Sequence, residues 1–136
     1  MELNGTHKFA VPPQAVWNAL HDANVLKNSI PGAESVAWQG DSAFTMTGGV
    51  GPFKGTLTAQ VVEQTPPSHM KFAVSRASAN GTLTVDLAPD GAGTLATYSA
   101  NIEAGGALGP ALAMAKPVIS GQIGQFFSRL DSQLGG

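Results

Sequence analysis

The sequence predicts an α+β fold: a curved antiparallel sheet of about six or seven strands wrapped around a long C-terminal helix, with two short helices after the first strand. Three observations predict it. Apolar residues alternate with period two over most of residues 1–103. The segment VPPQAVWNALHDANVLKNSIPG (11–32) interrupts that alternation with helix signals. From about Leu108 to Leu134 the apolar period becomes helical.

Residues 1–11 place Leu3, Gly5, His7, Phe9 and Val11 on one face and Glu2, Asn4, Thr6 and Lys8 on the other, as in a half-buried strand. Pro13 suits a first helical position, because its φ is already helical and its missing N–H would have no partner there. Val16, Trp17 and Leu20 then share one stripe. Asp22 can cap a second helix anchored by Val25 and Leu26, and Ile30-Pro31-Gly32 stops it. Residues 33–39 and 42–49 flank a Gly40-Asp41 hairpin signal. Residues 53–64 form a longer strand ended by Pro66-Pro67, and residues 69–77 form the next. Asn80-Gly81 reads as a turn, residues 82–88 as a strand, Pro89-Asp90-Gly91 as another turn and residues 94–103 as the last strand. Gly105-Gly106 breaks the pattern. Leu108, Leu112, Ala115, Ile119, Ile123, Phe126, Phe127, Leu130 and Leu134 then outline a helix of about 25 residues, ~38 Å long. Pro117 inside it removes a backbone donor and crowds the preceding turn, which predicts a kink near Ala113–Pro117.

A chain of 136 residues without internal repeat or linker is expected to form one domain, residues 1–136. The net charge is −2 and the seven Lys and Arg are scattered, so nucleic acid, which requires clustered cations, is not an expected partner. With no cysteine, disulfides, thiol nucleophiles and thiolate metal sites are excluded. The start, MELNGTHKF, lacks a cationic stretch followed by an apolar one, and no run reaches the ~18 apolar residues of a spanning helix; a cytoplasmic chain is expected. His7, His21 and His69 show no ligand spacing, so neither a metal nor a cofactor is expected.

Val16-Trp17, Leu20, Asp22, Leu26 and Ile30-Pro31-Gly32 carry a further signal. With them go Gly51-Pro52-Phe53-Lys54-Gly55 opening a strand, the Gly91-to-Thr94 turn, Gly105-Gly106 before the last helix and Phe126-Phe127 near its end. At this spacing they resemble the family of G-type accessory proteins of carbon monoxide dehydrogenase, within the START-like, or Bet v 1-like, helix-grip superfamily. The resemblance covers nearly the whole chain. It implies a hydrophobic cavity between sheet and long helix. It also implies a non-enzymatic accessory role in maturation or membrane recruitment of a molybdenum hydroxylase or carbon monoxide dehydrogenase, with peripheral contact at the inner membrane face.

Strand and helix parity assign the cavity wall to Phe44, Met46, Leu57, Phe72, Val74, Val85, Tyr98 and Ile102 from the sheet. Leu112, Ala115, Ile119, Ile123 and Phe127 face them from the helix. Small residues at many facing positions fill space poorly, so the expected ligand is a hydrophobic small molecule, a lipid or quinone. Arg76 shares parity with Phe72 and Val74; it either meets a ligand headgroup or snorkels to a surface ion pair. His7 faces inward, as a structural histidine or as a polar contact. Gly121 and Gly124 read either as a flexible gate or, the favoured reading, as small residues for close helix–sheet packing. No nucleophile elbow, phosphate loop or paired catalytic carboxylates occur.

Two other functions stay open. Some helix-grip relatives are polyketide cyclase-like or hydrolase-like enzymes, in which case Tyr98, Arg76 or His7 would act as acid, base or oxyanion donor. A pure protein–protein docking module would instead use Trp38 and Phe53 as surface anchors.

Overall fold

The first strand, β1 (Glu2–Phe9), leads into two helices, α1 (Pro13–Leu20) and α2 (Ala23–Ser29). Six strands follow: β2 (Ala33–Gln39), β3 (Ala43–Gly48), β4 (Gly55–Thr65), β5 (His69–Arg76), β6 (Ala79–Asp90) and β7 (Gly93–Ala104). The chain closes with α3 (Leu108–Gln133). All strands form one antiparallel sheet in the order β1-β7-β6-β5-β4-β3-β2. This is the fold expected from the sequence. The computed structural model describes residues 2–40, 42–48, 55–76, 79–104 and 108–135, apart from the side chains of 76, 79, 104 and 108–113. The expectations for Gly51–Lys54, including Phe53 as an anchor, for Gly105-Gly106, and for the side chains of Arg76 and Leu112 lie outside the described residues.

Local chemistry explains the helical insert. Pro13 opens α1, and Val16, Trp17, Ala19 and Leu20 form its buried side. Eight residues are too few for a helix that stands alone in water, so this packed face holds it. Asp22 caps α2 by accepting from the backbone N–H groups of Asn24 (3.0 Å) and Val25 (3.3 Å), as its position suggests. The chain then turns through Gly32 at φ 76° into β2.

Two boundaries differ from expectation. Asn80-Gly81 is not a turn; both residues lie inside β6, paired with Glu103 and Ile102 of β7. Gly81 serves close strand approach instead, since a Cβ there would come within 2.8 Å of the Asn101 carbonyl oxygen. At the other end of β6, Asp90 pairs with Gly93, so the hairpin tip is Gly91 and Ala92 rather than Pro89-Asp90-Gly91. α3 runs unbroken through Pro117.

Register sorts the two faces of the sheet. Phe9, Ala96, Leu87 and Met70 look toward the helices, with α1 and the C-terminal half of α3 over them, and all are buried. Thr6, Thr97, Thr84 and Lys71 look the other way. β-branched threonine suits a strand whose outer face meets solvent.

One feature of the outer face was not legible in the sequence. An extra residue, Val62, interrupts the β4–β5 register between Val61 and Glu63. It brings Glu63 to the same face as Lys71, His69 and Asp86. His69 Nδ1 lies 2.6 Å from Asp86 Oδ1, and its Nε2 lies 3.2 Å from Glu63 Oε1. Only the imidazolium can donate to both carboxylates. The Asp86 hydrogen bond, then that of Glu63, raises the His69 pKa above its ordinary 6.5. Because the folded value is the higher one, this stabilisation is fully present below pH 6.5 and disappears as pH rises through the elevated folded value. Urea unfolding across that window should show wild-type stability falling relative to His69→Gln. Parallel curves for the two proteins would contradict the assignment.

Candidate functional site

Burial on the concave side of the sheet falls toward the β2 edge, although Leu3, Ala100, Phe72 and Ala59 stay buried. At the end nearest α1, Phe9, Ala96, Leu87 and Met70 are buried beneath Phe127 and Leu130 of α3, which are 1% and 0% exposed. Further along, Ile102, Gly81, Val74, Ala59, Phe44 and Trp38 lie across the sheet from one another; Ala59 at the centre is buried and the other five are half-buried. Leu57, Met46 and Val36 form a further half-buried row. α3 follows the same trend: Ala115, Ile119 and Ile123 are half-buried, and Met114 and Val118 on its outer side are 84% and 51% exposed. Among the described residues, the helix therefore packs most tightly through Phe127 and Leu130, while Ala115, Ile119 and Ile123 nearer its start are only half-buried.

Aromatic rings border these half-buried residues. Trp38 sits between His21 (5.1 Å) and Phe44 (5.0 Å), and Phe44 meets Phe72 edge-on at 5.9 Å. Tyr98 stacks on Phe127 at 4.8 Å with the rings 15° from parallel. The indole Nε1 of Trp38 is buried with no hydrogen-bond partner among the described residues. An unpaired buried donor costs roughly 1–3 kcal/mol, so an acceptor reaching it would be favoured.

The sequence-derived wall splits along the same line. Phe44, Met46, Leu57, Val74, Tyr98, Ile102, Ala115, Ile119 and Ile123 are half-buried. Phe72, Val85 and Phe127 are instead buried in the packed core. Parity placed them on the correct face but could not say how far along it the helix makes contact. Trp38 is corrected too: it is a half-buried wall residue on the concave face, not a surface anchor. Its alternation with Val36 along β2 was the available signal. His7 faces inward and is occupied. Its Nε2 lies 3.0 Å from Asp131 Oδ2, and its ring stacks on Phe127 (6.1 Å) and meets Phe9 edge-on (4.8 Å). The second oxygen of Asp131, Oδ1, is buried without a partner among the described residues. The remaining histidine, His21, places Nδ1 2.9 Å from the Trp17 carbonyl and Nε2 3.3 Å from Gln64 Oε1.

Close packing does not explain the helix glycines. A Cβ at Gly121 or Gly124 would meet nothing within 4 Å. Outside the concave face, a shallow groove of about 200 Å³ lies along the β4 bulge, lined by Ser42, Val61, Val62, Glu63 and Gln64. Among the described residues no group of three or more His, Cys, Asp or Glu could hold a metal ion, and no helix is long and apolar enough to cross a membrane.

Known proteins share this architecture. A family model described as polyketide cyclase / dehydrase and lipid transport matches residues 2–135. A conserved protein from Geobacillus kaustophilus is 25% identical with a TM-score of 0.84, the match covering 99% of this chain and 95% of that one. Proteins from Mesorhizobium loti (15% identity, TM-score 0.76, covering 99% and 97%) and Rhodobacter sphaeroides (19%, 0.76, 98% and 91%) have the same fold. No curated protein sequence matches significantly.

Two stability measurements test the one-ended packing. Leu130→Ala should cost about 2–5 kcal/mol in urea unfolding, against about 1 kcal/mol or less for Ile119→Ala. Equal losses would mean that α3 is seated along its whole length. Gly121→Ala and Gly124→Ala, having room for the methyl group, should each stabilise the protein by up to ~1 kcal/mol, read as a rise in Tm.

Proposed function

This chain belongs to the polyketide cyclase / dehydrase and lipid transport family, and we propose that it serves as a non-catalytic carrier of a lipophilic molecule, a lipid or a quinone. The ligand lies between α3 and the open half of the sheet. The observation that carries this reading is the incomplete burial of the concave face, in which Val36, Met46, Leu57, Val74 and Ile102 of the sheet and Ala115 and Ile119 of α3 are only half-buried. Covering such a surface is favourable by about 25 cal/mol per Å² of apolar area removed from water. The unpaired Trp38 indole N–H favours a ligand bearing an acceptor oxygen, such as a carbonyl.

The finer reading is that of an accessory protein to a molybdenum hydroxylase or carbon monoxide dehydrogenase, acting in the cytoplasm and at the inner membrane face. Its support is the sequence resemblance carried by Trp17, Ile30-Pro31-Gly32 and Phe126-Phe127. The apolar outer side of α3 at Met114 and Val118 is compatible with peripheral contact.

An enzymatic reading has one specific observation in its favour. The His7–Asp131 pair adjoins the Phe127–Tyr98 stack at the inner limit of the open region, where an acid or base would be needed. Turnover of a polyketide-like carbonyl substrate that is lost in His7→Ala, with binding retained, would favour this reading over a carrier.

Extraction of the natively purified protein followed by mass spectrometry should yield a lipophilic molecule in stoichiometric amount. Ala115→Trp, which fills the open side, should reduce its recovery about tenfold or more while the protein stays folded. Ligand-free protein, or recovery unchanged by Ala115→Trp, would contradict the carrier reading. Retention of a large molybdopterin-binding subunit on the tagged chain, unaffected by Ala115→Trp, would support the accessory role separately.

A further inference from the structure

We propose that Tyr98 and Gly5 together set the depth of the ligand site, the Tyr98 ring being its floor; the inference rests on the carrier reading above. Tyr98 is a half-buried residue of the concave face, next to the buried end where Phe127 is seated. On one side of it, Ala96, Phe9 and Leu130 are buried. On the other, the small Ala100 is buried, and Ile102, Val74 and Leu57 beyond it are half-buried. The ring lies parallel to Phe127, 4.8 Å away, so α3 covers it from above.

What lets the ring lie down is the residue opposite. Tyr98 pairs directly with Gly5 of β1. A Cβ at Gly5 would stand 2.5 Å from Tyr98 Oη and 2.7 Å from Cζ. The tyrosine ring therefore occupies the volume that a side chain at residue 5 would fill, an aromatic ring covering a strand glycine. With any larger residue at position 5 the ring must move. Phe127 bars the way up and the packed layer around Ala96 and Phe9 bars the way back. The half-open region is the remaining direction, and a ring displaced into it makes the site shallower. Removing the ring makes the site deeper, because Phe127 and Val85 then form the floor.

The test uses the full chain with a bound naphthalene-sulfonate fluorophore displaced by straight-chain alcohols of increasing length. Affinity for the wild type should rise about fourfold per methylene until the chain end meets Tyr98, and then stop rising. Tyr98→Ala should move that limit to longer alcohols and Gly5→Ala to shorter ones. Tyr98→Phe should leave the limit where it is, since the ring rather than the hydroxyl is the stop. In the Tyr98→Ala background, Gly5→Ala should have no effect on the limit.

A limit unmoved by Tyr98→Ala, or a Gly5→Ala effect of equal size in both backgrounds, would overturn the proposal and leave the carrier reading standing. Wild type that binds neither fluorophore nor alcohol would overturn the carrier reading and this inference with it. Should Gly5→Ala fail to fold, Tyr98→Ala against Tyr98→Phe decides the matter.

Discussion

The docking of Phe127 and Leu130 is the contact on which the rest of the structure depends. These two side chains bring the C-terminal half of α3 onto Phe9 and the inner ends of β5, β6 and β7, where α1 also packs. Polar groups reinforce the same end. The Gln133 amide donates to the Ser29 hydroxyl (2.6 Å) and the Val25 carbonyl (3.1 Å) of α2, and Asp131 accepts from His7 of β1. Ser29 is itself buried and donates to Val25, so the clasp leaves its hydroxyl satisfied. α1 and α2 are too short to persist without partners, and this end of α3 gives α2 one.

Fastening the helix at this end has a consequence at the other. A helix seated at one end of a twisted, curved sheet diverges from it away from the point of contact. Along this sheet the divergence exposes apolar side chains that no second element covers among the described residues. The wall is lined by aliphatic side chains and aromatic rings, with the Trp38 indole as a buried polar group lacking a partner. Such a surface suits a greasy ligand with few oxygens better than an ionic one. The glycines in α3 fit this picture. Gly121 and Gly124 lie in the turns just before Phe127, where a methyl group would touch nothing, so they weaken the helix without improving its packing.

Much of this was legible in the chain as written. Period-two alternation named the inward residues of β6 and β7, the Pro13 and Asp22 signals located both short helices, and the Leu108–Leu134 spacing outlined α3. These are local properties, set by backbone geometry and by side chains within a few residues of one another. Where a local signal failed, a distant neighbour was responsible. Asn80-Gly81 looks like a turn until the Asn101 carbonyl is seen pressing on Gly81. Glu63 looks remote from His69 and Asp86 until the Val62 bulge turns it to their face. Trp38 looks like an exposed aromatic until its strand is placed at the sheet edge with His21 and Phe44 against it.

By itself, then, the sequence determined the order and type of the elements and which side of each strand is apolar, because those depend on periodicity and on capping within a turn or two. Tertiary structure decided how far along that apolar side the helix is seated. Phe72, Val85 and Phe127 share a pattern with Val74, Ile102 and Ile123, yet the first three are buried in the core and the others are only half-buried. The difference arises from the distance between two surfaces joined at one end, a quantity that no local repeat encodes.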